Sequence, residues 1–243
     1  MINIDHYKLL NQAKSGFFRE ITKKIVLKMT FSLLTFDKKR KLFAAGSATG
    51  NLCVGGWVIR GDIRFGMSAS QGALPSIIWG EDTIKYMAEG NNAQKAIDKA
   101  IKNDLEKDKR QISAIDINGN TGVFSGSKNL PEIHHIQKEN FVASGNILSS
   151  NKVLETMYET YIKTDSSPER KMLNALKRAY NIGGDKRGLM SASILILSNE
   201  KPPLSLRIDY SKNPLDDLEI LLNKCDQKEY KQWMELLPKR KLI

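Results

Sequence analysis

The stretch Met29-Thr30-Phe31-Ser32-Leu33-Leu34-Thr35-Phe36-Asp37 decides how the rest of the chain is read. In an extended strand Phe31, Leu33 and Thr35 fall on one side and Ser32, Leu34 and Phe36 on the other, and both sides are largely apolar. A short strand that is apolar on both faces lies between two layers, as an inner strand of a sandwich does. Its start carries a second message. If Met29 is removed, Thr30 bears a free α-amino group beside its own hydroxyl, a self-contained catalyst with the hydroxyl as nucleophile and the amine as base. An α-amino group titrates near about pH 8, so it accepts a proton close to neutrality without special tuning. The competing reading is an ordinary Met-Thr dipeptide inside a strand.

Upstream of this strand the chain changes character. Residues 1–28 contain six basic residues (Lys8, Lys14, Arg19, Lys23, Lys24, Lys28) against Asp5 and Glu20. Leu10, Phe17, Phe18, Ile21 and Ile25 recur at helical spacing, which describes a basic amphipathic helix. The segment lacks the uninterrupted apolar region of a secretory signal. It reads as a pro-segment, as a surface for an anionic membrane, or, the preferred reading, as an upstream-start artefact. The domain itself is taken as residues 29–243.

The whole chain has 243 residues, 41% hydrophobic and 27% charged, enough for one domain with a sizeable core. No apolar run approaches the roughly 20 residues of a membrane span. Cys53 and Cys225 are far apart and define neither a disulfide framework nor a metal spacing, so a reducing cytoplasmic setting is expected. The net charge of +11 suits an anionic partner. The charges are interleaved, however, and the dense basic runs at Lys38–Lys41 and Lys239–Lys241 read as a turn and a tail. Without interleaved aromatic and basic recognition patterns, this argues against nucleic acid.

Downstream, Leu42 to Thr49 returns as a small-residue strand, and glycines punctuate Cys53 to Arg60. A strand from Ile63 to Gln71 precedes helices at Trp79–Glu89 and Ala93–Asp104. Gln111–Ile117 and Thr121–Ser125 form a hairpin about Asn118-Gly119. Strands at Ile133–Gln137 and Phe141–Ser144 lead to helices at Lys152–Lys163 and Pro168–Asn181. Strands at Ser191–Ser198 and Leu204–Asp209 and helices at Leu215–Lys224 and Tyr230–Leu237 close the chain. Strands and helix pairs alternate in blocks, which suits antiparallel sheets covered by helices, an α+β arrangement.

Several apparent motifs fail on context. Asp116, Asn118 and Asn120 have the opening spacing of a calcium loop, but Thr121 stands where glycine is needed. Ser125-Gly126-Ser127-Lys128 matches Ser-x-x-Lys without a helix to aim the lysine. His134 and His135 are adjacent and face opposite ways in a strand, so they do not share a metal. With no phosphate loop or dinucleotide fingerprint, no cofactor and no metal are expected. Three polar glycine-bearing clusters remain, around Ser70-Gln71, Gly145-Asn146, and Gly183-Gly184-Asp185-Lys186-Arg187-Gly188. Asn146 offers a donor to a developing oxyanion, and Asp185 with Arg187 a charge pair beside a nucleophile. As single motifs each is also an ordinary structural turn.

Met-Thr-Phe-Ser at 29–32, Ala-Ser-Gln-Gly at 69–72, Gly-Asn-Ile-Leu at 145–148 and Gly-Gly-Asp-x-Arg-Gly at 183–188, followed by Ser191-Ala192, resemble the domain-of-unknown-function family numbered ten twenty-eight. The resemblance runs in order from Met29 to about Leu222. It implies an N-terminal-nucleophile hydrolase-like fold: two antiparallel sheets stacked face to face with helices outside, a four-layer α-β-β-α sandwich. It also implies Thr30 as nucleophile after loss of Met29. Many members carry a Ser-Lys pair near the end of the second strand, where this chain has Thr49-Gly50-Asn51. The expected site therefore comprises Thr30, Asn146, Asp185 and Arg187 as catalytic residues, with Ser70, Gln71, Gly145 and Ser191 binding substrate. The expected function is hydrolysis of an amide bond in a small molecule or peptide. The alternative is a non-catalytic small-molecule-binding or scaffold protein with the same fold. Assembly with further copies of the chain is left open.

Because the domain pattern begins at Thr30, protein purified from its native source is expected to start there. Intact-mass measurement checks this, and active protein that retains residues 1–28 would contradict it.

Overall fold

The computed structural model describes residues 29–129, 132–183 and 188–239. The opening stretch forms β1 (Thr30–Asp37), and Asp37 closes the following turn by accepting the Arg40 N–H, so β2 (Leu42–Thr49) folds straight back along it. On its other side β1 pairs with β8 (Phe141–Asn146), which in turn pairs with β7 (Ile133–Lys138). Beyond β2 lie β9 (Ser191–Ser198) and then β10 (Leu204–Ile208). The result is a six-stranded sheet in the order β10-β9-β2-β1-β8-β7 with β1 in its interior. A second sheet, in the order β3-β4-β5-β6, contains β3 (Ile59–Asp62), β4 (Gly66–Gly72), β5 (Arg110–Asp116) and β6 (Thr121–Ser125). The recorded pairings in both sheets are antiparallel.

Alternation along β1 sorts its side chains into two cores. Phe31 and Leu33 join Ala44, Ala48, Phe141, Ala143, Ile194 and the inward faces of α4 (Lys152–Lys163) and α5 (Pro168–Gly183). Gly46 on β2 lets α5 approach closely, since a Cβ there would lie 3.2 Å from Leu176 and from Leu33. Leu34 and Phe36 face the other way and pack with Phe43, Ala45, Val142, Met67, Ala69 and Ile115 between the sheets. The far side of the second sheet carries Ile112 and Ala114, covered by α2 (Ile77–Ala88) and α3 (Ala93–Ile101) through Trp79, Met87, Ala96 and Ile97. These are the four layers, α-β-β-α, that the sequence resemblance implied. α6 (Pro214–Cys225) adds Leu215, Leu218 and Leu222 to the first core, and α7 (Lys228–Leu236) follows it.

Local signals explain most boundaries. Ser76 and Asn92 cap α2 and α3 by accepting the N–H groups of Trp79 and Lys95. Asp116 closes the Asn118-Gly119 hairpin by accepting the N–H groups of Asn118 and Asn120, which is the turn reading rather than a calcium loop. Among the described residues no cluster of His, Cys, Asp or Glu is placed to hold a metal, and both cysteines are free. No helix among them is long and apolar enough to cross a membrane.

Two expectations change. The glycine-punctuated segment Cys53–Arg60 contains a short helix, α1 (Val54–Trp57), before β3. The strand expected from Ile63 starts at Gly66 instead. Asp62 accepts the Arg64 N–H and pairs with its guanidinium, forming a turn, and Gly66 at φ +145° presses against the Ile115 carbonyl where a Cβ would have no room.

The half of the inter-sheet space next to Leu34 is hydroxyl- and amide-lined, and its bonds are part of the fold. Ser32 Oγ donates to Gln71 Oε1 across the two sheets at 2.9 Å, with both residues buried. Ser32→Ala strands that acceptor without changing the backbone. The expected loss is about 1–3 kcal/mol of stability, read from urea denaturation, the range for an orphaned buried hydrogen-bonding group.

Candidate functional site

Thr30 is the first residue of the central strand. Antiparallel register sets it opposite Thr49 on β2 and opposite Asn146 on β8, and Thr49 opposite Ser191 on β9. Directly opposed residues point to the same face with Cβ atoms about 4.5–5.5 Å apart. Ser191, Thr49, Thr30 and Asn146 therefore form one row across four strands, on the face that meets the second sheet. The next row inward is Ser193, Ser47, Ser32 and Ser144. All eight residues are buried.

The hydrogen bonds of the first row are directional. Thr30 Oγ1 lies 2.8 Å from Thr49 Oγ1. Thr49 donates its single proton to the Met29 carbonyl at 3.0 Å and accepts the Asn51 N–H at 3.3 Å. Thr30 is thus the donor in the hydroxyl pair, and its own lone pairs point elsewhere. The Met29 carbonyl receives a second bond from the Gly50 N–H at 3.1 Å. Ser191 Oγ ties down the loop after β2, donating to the Asn51 carbonyl at 2.7 Å and accepting the Val54 N–H at 3.0 Å. Across β1, Asn146 Oδ1 is buried without a hydrogen-bond partner among the described residues. A buried polar atom left unpaired costs stability, and Asn146 Oδ1 bears that cost beside Thr30.

Behind the row lies a connected neutral network. Ser193 and Ser47 share a bond of 2.8 Å, Ser144 contacts Ser32 at 3.3 Å and Ser113 at 3.1 Å, and Gln71 Nε2 donates to Gln111 Oε1 at 2.8 Å. Gln111 in turn donates to Ser125 Oγ and the His134 carbonyl. None of these side chains is ionisable. His135, opposite Ser144 in the β7–β8 ladder, has its pKa held below the usual value by burial and, secondarily, by His134, so it is neutral at physiological pH. Asp116, the buried carboxylate among the described residues, is occupied in the hairpin turn and the Ala93 N–H.

The chain leaves both neighbours of β1 through left-handed, non-glycine residues: Cys53 at φ 59° after β2 and Ile147 at φ 56° directly after Asn146. For a β-branched residue this conformation is a true outlier, costing on the order of 1–3 kcal/mol. Such strain gathers at functional sites.

The sequence-derived site divides accordingly. Thr30, Asn146, Gln71 and Ser191 converge on the inter-sheet face. Ser70 alternates onto the opposite face of β4 with Ser68, which bonds the Gly80 carbonyl of α2. Gly145 likewise faces the helices, where Leu148 folds against it at a distance no Cβ would allow. Asp185 and Arg187 lie outside the described residues. Thr49 and the serine row escaped the sequence reading, though their signal was present. Thr30-x-Ser32, Ser47-x-Thr49, Ser144-x-Asn146 and Ser191-x-Ser193 each place small polar groups two residues apart at the end of an otherwise apolar strand.

Fold and row together define a four-layer sandwich with a threonine hydroxyl at the head of its central strand. The family of unknown function DUF1028 matches residues 30–218. The chain belongs to that family. It is similar to a DUF1028 protein from Silicibacter pomeroyi of known crystal structure, with 40% identity and a TM-score of 0.83 over 87% of this chain and 92% of that one. Eukaryotic HslV from Trypanosoma brucei aligns at 12% identity and a TM-score of 0.44, over 69% of this chain and 99% of its own. No curated protein matches the chain.

Asn146 and Asn129 separate a free site group from a structural one. Asn129 Oδ1 accepts the Ala73 N–H while its amide donates to the Arg110 and Gly126 carbonyls. Asn129→Ala is expected to cost about 2–4 kcal/mol, as several buried groups lose partners. Asn146→Ala orphans no acceptor or donor recorded on Oδ1 and is expected to stay within about 1 kcal/mol of the parent. Thermal or urea unfolding of the two variants checks the contrast.

Proposed function

We propose that the protein is an N-terminal-nucleophile amide hydrolase that acts on a small-molecule or peptide amide. The observation that carries this reading is the Thr30 hydroxyl at the head of β1, 2.8 Å from Thr49 Oγ1 and opposite Asn146 with its unpartnered Oδ1. Once Thr30 is the first residue, its hydroxyl attacks the amide carbon and its own amine takes the proton. The amine is a base whose place beside Oγ1 is guaranteed by covalent geometry, and the described residues around it are neutral. Thr49 orients the hydroxyl. Asn146 engages the substrate amide, and Gln71 and Ser191 lie on the same inter-sheet face. Water then hydrolyses the acyl-threonine.

Asp185 and Arg187, which lie outside the described residues, are carried from the sequence as candidate charged groups of the same site. Their flank supports the assignment: the Met190 N–H, two residues beyond Gly188, donates to the Thr49 carbonyl at 2.8 Å. Met29 has no exposed surface in the folded chain, and freeing the Thr30 amine requires its removal.

The test uses a chain beginning at Thr30 and a library of amides. Thr30→Ala is expected to abolish turnover, Thr30→Ser to keep part of it, and acetylation of the amine to cost on the order of 10²-fold or more, the scale of a positioned base. Because the amine acts only when deprotonated, the rate should rise with pH and level off above about pH 8. Turnover that survives acetylation would remove the amine from the mechanism. Unchanged ligand binding by Thr30→Ala, with no turnover by the parent, would establish the binding-protein alternative instead.

A further inference from the structure

Met29 is fully buried and shares a core with Phe31, Ala48, Leu148, Val153 and Leu189. Its carbonyl is held by the Gly50 N–H at 3.1 Å and the Thr49 hydroxyl at 3.0 Å. An acyl group joined to the Thr30 nitrogen is thus fully seated, with its side chain in an apolar pocket and its carbonyl between two donors. Under the hydrolase reading, on which this inference rests, that residue departs. Deleting a buried methionine leaves an apolar cavity that its surroundings only partly close. Met29 is bonded to the Thr30 nitrogen, so that cavity adjoins the freed amine.

We propose that the pocket vacated by Met29 is the acyl pocket of the mature protein, selecting amides of unbranched apolar acyl groups of methionine's length, of which hexanoyl is the simplest. In a threonine the nitrogen and Oγ1 are joined through two carbons, and a carbonyl carbon bonded to one is reached by the other through a five-membered ring. An acyl group on Oγ1 therefore keeps its carbonyl near the Gly50 and Thr49 donors and its chain in the pocket. On the opposite side of β1, Asn146 Oδ1 is an acceptor without a partner among the described residues, suited to the N–H of the scissile amide. In the first step the Oγ1–C bond forms and the C–N bond breaks. The hydroxyl proton passes to the α-amine and from there to the departing amine. Water then cleaves the ester, releasing the carboxylic acid and restoring Thr30. The pocket shares a core of apolar side chains, so acyl groups ending in a charge are rejected.

The test uses the chain begun at Thr30, verified by intact mass, and p-nitrophenyl esters as probes: acetate, hexanoate, decanoate and the hydrogen succinate. Acylation of Thr30 is read by mass and nitrophenolate release. Hexanoate is expected to acylate at least about tenfold faster than acetate, since each buried methylene contributes. Decanoate, too long for the pocket, and succinate should fall back to the acetate rate or below. Ala48→Leu, which narrows the same core, should shift the preference toward acetate. If that variant does not fold, the ester series on the parent chain decides alone. Equal rates for acetate, hexanoate and succinate would overturn the pocket while leaving the nucleophile intact. Failure of every ester to acylate Thr30 would overturn the hydrolase reading and the pocket with it.

Discussion

Every feature of the site follows from β1 being buried on both faces. A strand in that position has no solvent face on which to place polar groups freely, so each of its residues must be matched by the layer it meets. Toward the helices the match is apolar throughout its first half, with Phe31 and Leu33. Between the sheets it changes along the strand: Leu34 and Phe36 meet an apolar core, whereas Thr30 and Ser32 meet hydroxyls and amides. Slipping the register by one residue would put Phe31 into the polar rows and Ser32 against the helices. The antiparallel pairing is therefore as much a part of the site as the side chains.

Neutrality of the inter-sheet rows has a physical reason. A buried charge requires a paired countercharge and further hydrogen bonds, while serine, threonine, asparagine and glutamine satisfy one another at modest net cost. The network from Ser32 through Gln71 to Gln111 is closed in this way. Three exceptions flank Thr30. Asn146 Oδ1 is open among the described residues, Ile147 holds a left-handed conformation, and Cys53 does the same on the other flank. An unpaired buried acceptor and two left-handed residues beside one strand end are costs that folding alone does not favour.

Met29 sets core packing against function. As part of the folded chain it fills the first core and its carbonyl satisfies Gly50 and Thr49. As the residue before the proposed nucleophile it blocks the amine. A chain that gives it up exchanges packing for a free amine, which is the usual direction of the stability–activity trade-off.

Periodicity in the sequence determined a good deal. Two apolar faces on residues 30–36 identified β1 as an inner strand, Asn118-Gly119 marked the hairpin between β5 and β6, and the blocks of strands and helices implied layered antiparallel sheets. These are readable because turn chemistry and side-chain alternation are local properties of the backbone. The glycine-rich stretch from Cys53 to Gly66 was misjudged because its course depends on contacts with distant residues: Ser191 holding Asn51 and Val54, and Ile115 confining Gly66. Of the candidate residues, Thr30 was legible as the start of β1. Only the tertiary structure decided that Asn146 and Gln71 share its face while Ser70 and Gly145 turn away, and that Thr49, 19 residues further along, stands 2.8 Å from its hydroxyl. A sequence records which residues alternate, but strand order and register decide which alternating faces meet.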